Sequence, residues 1–232
     1  MTETMVNHWP VYQKRWEFNG TSEEAVVFSG DHGGYEARMQ YDFMLSRGLK
    51  PDNRFLDLGC GALRGTIRFV DYLRNGNFYG SDISVGLLKE ALLECKRLNL
   101  ANLPLLRLMD SFDLKTLWDG LKFDFILANS LTVHIEPDDI QPLCKGIADV
   151  LGPIGKAYLS VHPLDEKESK SFQWDGYRWW YKRSWIAIEA AKIGLNLSDI
   201  PGKVFNRIPG QRNPVIPVVN TNMTEWMMEG TL

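Results

Sequence analysis

Several features that mark special classes of protein are missing from this sequence. Its three cysteines, among 232 residues, form no C-x-x-C pair, so neither a disulfide framework nor a zinc site is indicated. No two of the four histidines are four residues apart, which argues against a metal centre. No apolar run approaches the roughly 20 residues of a membrane-spanning helix, and residues 1–10 contain no signal-peptide core. These absences predict a cytoplasmic protein without a metal or a membrane partner.

An excess of positive charge is also missing. The formal net charge is −3 at pH 7, so nothing draws the whole protein towards nucleic acid or an anionic membrane surface. The remaining composition, with 44% apolar and 24% charged residues, is that of an ordinary globular protein long enough for one large core. We therefore expect a small-molecule partner and not a nucleic acid.

The most informative stretch is residues 55–65, which read F-L-D-L-G-C-G-A-L-R-G. An apolar run enters a glycine-rich turn, and residues 66–73 then place apolar side chains at helical spacing. This pattern predicts a strand, a tight turn and a helix. Such a turn needs glycine because some of its residues take positive φ and because its backbone comes close to a ligand at the helix N-terminus.

A dinucleotide is the first candidate for this ligand, but the spacing disagrees. Gly59, Gly61 and Gly65 are spread one residue wider than the dinucleotide fingerprint. Asp57 would repel a pyrophosphate and attract an ammonium group. Arg64, in the first turn of the helix, opposes the positive end of the helix dipole unless an anion bridges the two. A ligand with an amine, a carboxylate and a ribose meets these demands, and S-adenosylmethionine is such a ligand.

The same residues carry a resemblance to a known family. Residues 57–65 resemble the first motif of the class I S-adenosylmethionine-dependent methyltransferases, in the form found in a small bacterial-type subfamily with a GCGxLRG motif. The resemblance extends over roughly residues 35–162. It implies an α/β, Rossmann-like, doubly wound sheet of seven strands, mostly parallel with the last strand antiparallel, and helices on both faces. The alternative is a glycine turn that only packs a helix on its strand.

Acidic residues end the next strands of this predicted sheet. Asp82 ends a strand at residues 77–82, and Asp110 follows a strand at 105–109. With Asp57, three acids then lie at the carboxyl edge of a parallel sheet, where open α/β sheets bind ligands. Asp82 is placed to receive the two ribose hydroxyls. A surface acid in a turn is the alternative for each acid taken singly.

The resemblance implies further contacts with the cofactor. Ile83 would cover one face of the adenine, while Asp110, or the backbone beside it at Ser111, would take the adenine amino group. Asn129 and Ser130 would bond the amino acid part. The full set of predicted cofactor-binding residues is Asp57, Gly59, Cys60, Gly61, Arg64, Asp82, Ile83, Asp110, Ser111, Asn129 and Ser130.

Two histidines are candidate general bases. His134 follows the fourth predicted strand, residues 122–130, and is the nearest titratable group that could take a proton from an acceptor. His162 ends the fifth predicted strand, residues 155–162, and is the second candidate. A structural role is the alternative for both. The helix after His134 contains Pro142, so we expect this helix to start late or to kink.

An aromatic insertion, about residues 163–183, interrupts the alternation of strands and helices. Insertions at the carboxyl edge of α/β enzymes tend to carry substrate specificity, and aromatic faces attract a sulfonium cation. We therefore predict that the insertion covers the site. The predicted acceptor-binding residues are Tyr35, Trp174, Tyr177, Arg178 and Trp179. The alternatives are a hydrophobic hairpin over the sheet, a dimer contact, or a docking surface for single-stranded nucleic acid.

The domain organisation follows from these elements. Residues 1–34 form an N-terminal arm, whose aromatic residues indicate that it packs on the rest of the protein. The predicted methyltransferase domain spans residues 35–220, with its last two strands at 203–208 and 215–219. Residues 221–232 would form a C-terminal tail.

The resulting hypothesis is a single-domain enzyme that moves the methyl group of S-adenosylmethionine to an oxygen or nitrogen atom of a small molecule by in-line displacement. Two other classes stay open. A protein- or RNA-modifying methyltransferase would dock its substrate on the basic and aromatic residues of the insertion. A non-catalytic module would bind the cofactor without turnover. A homodimer is left open as well.

Overall fold

Helices and strands alternate along the protein, as expected for an α/β fold. The computed structural model describes residues 7–20, 34–200, 205–206 and 224–232. In this part of the chain the α-helices are α1 (Trp9–Trp16), α2 (Tyr35–Ser46), α3 (Ile67–Tyr72), α4 (Val85–Arg97), α5 (Leu114–Leu117), α6 (Ile140–Val150) and α7 (Arg183–Ala191). The strands are β1 (Phe55–Leu58), β2 (Phe78–Asp82), β3 (Leu105–Leu108), β4 (Phe123–Ala128), β5 (Leu151–Val161), β6 (Phe172–Trp174), β7 (Trp179–Tyr181), β8 (Asn196–Asp199), β9 (Phe205–Asn206) and β10 (Thr224–Thr231).

One mixed sheet organises the protein. Its main path contains seven strands in the order β3-β2-β1-β4-β5-β10-β8, and β9 pairs with β10 beside this path. The first five strands along the chain pair in parallel, whereas β10 runs antiparallel between β5 and β8. The predicted Rossmann-like fold is therefore confirmed. The strand order reverses between β1 and β4, and ligands bind beside such a reversal, at the carboxyl ends of the strands.

The core lies on both faces of the sheet because successive side chains of a strand point to opposite sides. Leu56 and Leu58 of β1 belong to one buried cluster, together with most of α6. Phe55 of the same strand belongs to a second buried cluster, together with Phe69 and Val70 of α3. The strand is buried along its whole length, as expected for a parallel strand with helices on both sides.

Two helix starts follow the sequence closely. Ser84 caps α4, since its Oγ accepts a hydrogen bond from the backbone N–H of Leu87 at 3.1 Å. The helix after His134 starts late, as predicted: a short 3₁₀ turn at Pro137–Asp139 precedes α6, which begins at Ile140. Pro142 therefore lies in the first turn of α6, where its missing N–H leaves no intrahelical bond unmade.

The last strands differ from the sequence-based assignment. In chain order, the strand of the main path that follows β5 is β8 (Asn196–Asp199). Of the predicted strand 203–208, only residues 205–206 are described, and they form the short β9. The predicted strand 215–219 lies outside the described residues. The antiparallel strand is β10, within residues 221–232, so the predicted tail contributes to the sheet. The local sequence pattern did not predict β10, because both strands that pair with it come from other parts of the chain.

The aromatic insertion forms an antiparallel hairpin, β6–β7, outside the main sheet. The N-terminal arm contributes α1, in which Tyr12 is buried. Both elements stand at the same edge of the sheet, as the contacts below show. No helix in the described ranges is long and apolar enough to cross a membrane.

Candidate active site

The glycine turn, residues 59–65, is held against the end of β2. The N–H groups of Gly59 and Cys60 donate to the carbonyl of Ser81 at 2.8 and 3.0 Å. Gly59 has φ +77° and Gly61 has φ +53°, a left-handed conformation that favours glycine at both positions. A Cβ on Gly59 would lie 3.0 Å from Cδ1 of Leu131, so the loop after β4 closes over the turn. The ends of β1, β2 and β4 thus meet at one place.

Asp82 ends β2 and supports the glycine turn. Its Oδ2 accepts from the N–H of Gly61 at 2.8 Å, and its Oδ1 accepts from the N–H of Ser84 at 2.9 Å. Burial raises the pKa of this carboxyl, the backbone hydrogen bonds partly offset the rise, and the charge of Glu17 adds to it. A carboxylate has about four acceptor positions, so Asp82 keeps the capacity to accept from hydroxyl groups of a ligand.

Asp57 is a second buried acid at the same place. It is 4% exposed, and its Oδ2 accepts from Oγ1 of Thr66 at 2.5 Å. Burial raises its pKa to about 7, which the hydrogen bond from Thr66 partly offsets and the charge of Asp82 increases. Because two acids share a dry environment, this place favours a ligand that brings a positive charge.

The end of β4 adds polar groups. Oδ1 of Asn129 is buried and accepts no hydrogen bond from the described residues. Ser130 has φ +55°, a conformation that is rare for residues with a side chain. Its N–H donates to Oγ of Ser160 at 2.6 Å, and Oγ1 of Thr132 donates to the carbonyl of Ser160 at 2.5 Å. A buried acceptor beside a strained residue is typical of a binding site.

The other predicted cofactor residues differ in placement. The Cys60 side chain points towards β2 and not towards the open side of the glycine turn. A Cβ added to Gly80 of β2 would lie 3.0 Å from the sulfur of Cys60. Burial raises the pKa of this thiol well above its usual value. Ile83 is half-buried against the core. Arg64 is half-buried and lies in the glycine turn, before the N-cap Thr66 of α3, so its predicted place in the first turn of the helix is wrong. Asp110 is exposed, with Oγ of Ser111 3.4 Å from its Oδ1, and does not join the buried pair of acids.

Helix α1 is fastened to the loop after β4. The hydroxyl of Tyr12 donates to Oδ2 of Asp139 at 2.6 Å and accepts from the N–H of Glu136 at 2.8 Å. Nδ1 of His8 lies 3.0 Å from the same carboxylate oxygen. Burial, followed by the bond to Asp139, raises the pKa of the Tyr12 hydroxyl far above its usual range, so it stays a donor.

The other end of α1 is fastened to the N-terminus of α4. The carboxylate of Glu17 accepts from the N–H groups of Val85 and Gly86 at 3.2 and 3.0 Å. The N–H of Phe18 donates to Oγ of Ser84 at 3.0 Å. A Cβ on Gly86 would lie 1.6 Å from the carbonyl oxygen of Phe18, so only glycine permits this contact. Helix α1 therefore spans the carboxyl edge of the sheet from β4 to β2.

His134 lies beneath this helix. The ring of Trp16 is 4.0 Å from the His134 ring, centroid to centroid, and 6.4 Å from the Tyr177 ring. The hydroxyl of Tyr181 donates to the carbonyl of Ile135 at 2.6 Å, which ties the aromatic insertion to the same turn. The structure thus brings together His134, α1 and the aromatic insertion.

The second base candidate, His162, is almost completely buried. It is 2% exposed, and its ring lies 5.1 Å from the Trp180 ring. A proton acceptor must reach its substrate within hydrogen-bond distance, so His162 is the weaker of the two candidates. Its role as a base stays a prediction.

The predicted acceptor residues lie mainly on the aromatic insertion. The guanidinium of Arg15 lies 5.0 Å from the Trp174 ring, and Trp174 is 5.4 Å from Trp179. Tyr177 is 50% exposed, with the guanidinium of Arg178 5.2 Å from its ring. Tyr35 begins α2, and its side chain is outside the described part of the structure.

Sequence reasoning did not single out four residues that the structure places here: Tyr12, Trp16, Glu17 and Thr66. The only signal for the first two was the aromatic content of the arm. Thr66 had none, because a threonine after a glycine turn is unremarkable until its hydroxyl is seen on Asp57.

Comparison with known proteins supports the interpretation of this geometry. Residues 56–157 match a family model described as a methyltransferase domain. The matched range contains most of β1, all of β2 to β4, most of β5, the glycine turn and both buried acids.

Solved structures share the fold over nearly the whole chain. Magnesium protoporphyrin IX methyltransferase from Synechocystis, with bound S-adenosylmethionine, is 14% identical with a TM-score of 0.66, and 99% of each chain is covered. An S-adenosylmethionine-dependent methyltransferase from Clostridium acetobutylicum is 17% identical with a TM-score of 0.59, and 96% of each chain is covered. The glycopeptide N-methyltransferase MtfA is 15% identical with a TM-score of 0.59, covering 93% of this chain and 100% of its own.

Proposed function

We propose that the chain is a class I S-adenosylmethionine-dependent methyltransferase and that it transfers the methyl group to an oxygen or nitrogen atom of a small-molecule acceptor by in-line displacement. The observation that carries this proposal is the enclosure of His134. Trp16 of α1 lies over its ring, and Tyr181 of the aromatic insertion holds the next residue. A site roofed from two sides suits a small acceptor better than a polymer.

The residues at the carboxyl edge fit the cofactor. The buried carboxylate of Asp57 and the free buried acceptor of Asn129 suit an ammonium group. Asp82, at the end of β2, has acceptor capacity for ribose hydroxyls. When bound, S-adenosylmethionine supplies a methyl group on a positively charged sulfur. The residues present therefore meet its amine and its ribose with groups of the right chemistry.

His134 would act on the acceptor. An oxygen or nitrogen that gains a methyl group loses a proton, and a neutral imidazole can take that proton near neutral pH. His134 ends a 3₁₀ turn at Thr132–His134, after β4, and the ring of Trp16 lies 4.0 Å from its own, tilted by 51°. The wall formed by Trp16 and Tyr177 would hold a planar acceptor beside the imidazole, because aromatic faces stack on flat groups.

The basic residues of the aromatic insertion lend little support to a polyanionic substrate. Arg183 lies 2.6 Å from the carboxylate of Asp199, and the Lys182 ammonium donates to the carbonyl of Glu168. Two structurally similar enzymes are named for a magnesium porphyrin and a glycopeptide as substrates. Both substrates are small compared with a protein or an RNA, which agrees with the proposal.

The state of the cysteines bears on the cellular location of the protein. Cys60, Cys95 and Cys144 are all buried thiols without a disulfide, as expected in a reducing compartment. Buried free thiols support a cytoplasmic location, which stays a prediction. A homodimer stays a prediction.

Incubation of the purified protein with methyl-labelled S-adenosylmethionine and fractionated cell extract tests the acceptor class. Separate reactions would contain metabolites, total RNA and total protein. We expect label in the metabolite fraction and none above background in the other two. Label that accumulates in RNA or protein would contradict the proposal, and so would cofactor binding without transfer to any fraction. Reactions without the protein serve as the control for spontaneous methylation.

A further inference from the structure

One edge of the main sheet, strand β3, is apolar and exposed. Within the described ranges, β3 lies at one end of the sheet and pairs only with β2. Leu103, Leu105 and Leu108 are 52%, 47% and 43% exposed. An exposed apolar strand edge is open to pairing with another chain, and native proteins usually block such an edge with charges or cover it. The β3 edge therefore points to a partner.

The opposite edge of the sheet is better protected. Its strand, β8, reads N-L-S-D, and the carboxylate of Asp199 lies 2.6 Å from the guanidinium of Arg183. On β3 the charged residue is Arg107. Its guanidinium lies 2.9 Å from the Asp119 carboxylate and 5.0 Å from the centre of the Trp118 ring, so it is turned back onto its own protomer. In the described part of the chain, β3 is thus the less protected of the two sheet edges.

A groove of about 270 Å³ lies along the β3 edge. Its lining is mainly leucine and aromatic side chains beside one guanidinium, and it includes Tyr79, Leu105, Arg107, Trp118 and Leu121. Successive side chains of a strand point to opposite faces, so Leu105 and Arg107 share the face of the sheet that carries Trp118. The groove therefore suits an apolar side chain from a strand that pairs with β3.

A second copy of the chain fits this edge. Arg107 and Asp119 give the edge one charge of each sign, so two copies meet without an excess of like charge. In an antiparallel pair, residues directly opposite each other share a face, and like charges in opposite positions are destabilising. Two copies of Arg107 on the symmetry axis would therefore be unfavourable. With Leu106 on the axis, Leu105 of each copy faces Arg107 and the groove of the other copy.

We propose that the β3 edges of two copies pair antiparallel about a two-fold axis, so that the two main sheets form one continuous sheet. Two-fold dimers are the commonest oligomers of soluble proteins. A stable dimer buries roughly 800 Å² on each partner, whereas the four residues of β3 extend only about 14 Å. Helix α4, which packs beside β3, and the residue after it add the exposed side chains of Leu92, Leu93 and Leu98 to the interface.

The sign of a charge at position 105 tests this pairing. Light scattering should give the full-length protein twice the 26.6 kDa mass of one chain. Leu105→Lys puts a positive charge opposite Arg107, and sedimentation equilibrium should show the dissociation constant of the dimer raised at least about a hundredfold. Leu105→Glu meets Arg107 with the opposite charge, so we expect a rise of about tenfold or less. The measurements use neither cofactor nor acceptor, so their outcome is separate from that of the proposed function.

Ile188→Lys is the matched control, because Ile188 is an exposed apolar residue of α7, at 57% exposure. This variant should stay a dimer, and circular dichroism of each variant checks that the fold is retained. A monomeric unaltered protein would overturn the proposal, and so would a dimer that survives Leu105→Lys. Equal weakening by Leu105→Lys and Leu105→Glu would contradict the pairing of position 105 with Arg107, and dissociation by Ile188→Lys would move the interface to another surface.

Discussion

The proposed site has two halves, a cofactor half and an acceptor half, that are built in different ways. The cofactor half consists of the glycine turn with Asp57 and Asp82, and its hydrogen bond between Gly61 and Asp82 spans 21 positions along the chain. The acceptor half consists of α1, the turn at His134 and the aromatic insertion, and its bond between Tyr12 and Glu136 spans 124 positions. The residues of the cofactor half come from one short strand–turn–helix–strand unit. The acceptor half forms when segments that are distant in sequence pack together.

This difference has an energetic consequence. The glycine turn is fixed by backbone hydrogen bonds to a central strand of the sheet, so it keeps its shape as long as the sheet is folded. Helix α1 is positioned by side chains, among them the buried Tyr12 and, just past its C-terminal end, Glu17. We expect changes in the acceptor half to affect turnover and changes in the cofactor half to affect binding.

The largest expected effect separates turnover from binding at His134. His134→Ala should lower turnover about 10²- to 10⁴-fold, the usual contribution of a general base. Its affinity for S-adenosylhomocysteine should be unchanged, since His134 belongs to the acceptor half. Labelled-methyl transfer and calorimetry measure the two quantities. Unchanged turnover would show that the acceptor reaches the site as an anion or that another group takes its proton.

Asp82→Ala is the corresponding change in the cofactor half. It removes the proposed acceptor for the ribose and leaves the N–H groups of Gly61 and Ser84 without their carboxylate. We expect affinity for S-adenosylhomocysteine to fall about a hundredfold in calorimetric titration, from two lost bonds to a charged group. Asp71→Ala, at an exposed position of α3, is the control and should bind normally. A loss below about threefold would contradict the role of Asp82.

The pH dependence of binding tests Asp57. In the free protein its pKa is raised to about 7, whereas binding of an ammonium group favours the ionised form. Affinity for S-adenosylhomocysteine should therefore fall about tenfold when the pH is lowered from 8 to 6. 5′-Methylthioadenosine, which has no ammonium group, should show no such change. Asp57→Asn should abolish the dependence, and a dependence that survives in this variant would assign it to another group.

The raised pKa of Asp57 also makes the stability of the fold depend on pH. The folded-state value lies above the model value of 3.8, so the folded protein holds this proton more tightly than the unfolded chain. The contribution of Asp57 to the free energy of unfolding is therefore fully present below about pH 4 and is lost as the pH rises through about 7.

The smallest expected effect concerns the fastening of α1. Tyr12→Phe removes the hydroxyl that bonds Asp139 and Glu136, and we expect a loss of about 1 kcal/mol in the free energy of unfolding. Turnover should fall several-fold, with cofactor affinity unchanged. Tyr72→Phe removes a single bond to the carbonyl of Leu49, away from the site, and is the matched control. Equal turnover in the two variants would show that α1 does not shape the acceptor half.

The sequence predicts the glycine turn and the acids beside it because their determinants are local, while their contacts with the cofactor stay a prediction. The glycine spacing, the acid at the end of β2 and the cap at Ser84 all lie within one strand–turn–helix–strand unit, and the structure shows each element. The fold follows from repetition of that unit.

The acceptor half could not be derived in the same way. Nothing in the sequence near Trp16 indicates that its ring lies on His134, because the two residues meet only after the sheet has formed. Strand β10 was missed for a related reason, since its position between β5 and β8 depends on tertiary pairing and not on its own pattern. The aromatic residues of the N-terminal arm predicted that the arm packs on the rest of the protein, but not which residues it contacts.

The central claim is that the glycine turn with Asp57 and Asp82 holds an adenosyl amino acid and not a dinucleotide. Calorimetric titration of the purified protein with S-adenosylhomocysteine and, separately, with NAD⁺ tests it directly. The structure leads us to expect saturable one-to-one binding of S-adenosylhomocysteine and no detectable heat from NAD⁺. Binding of NAD⁺, or no binding of S-adenosylhomocysteine, would contradict the claim.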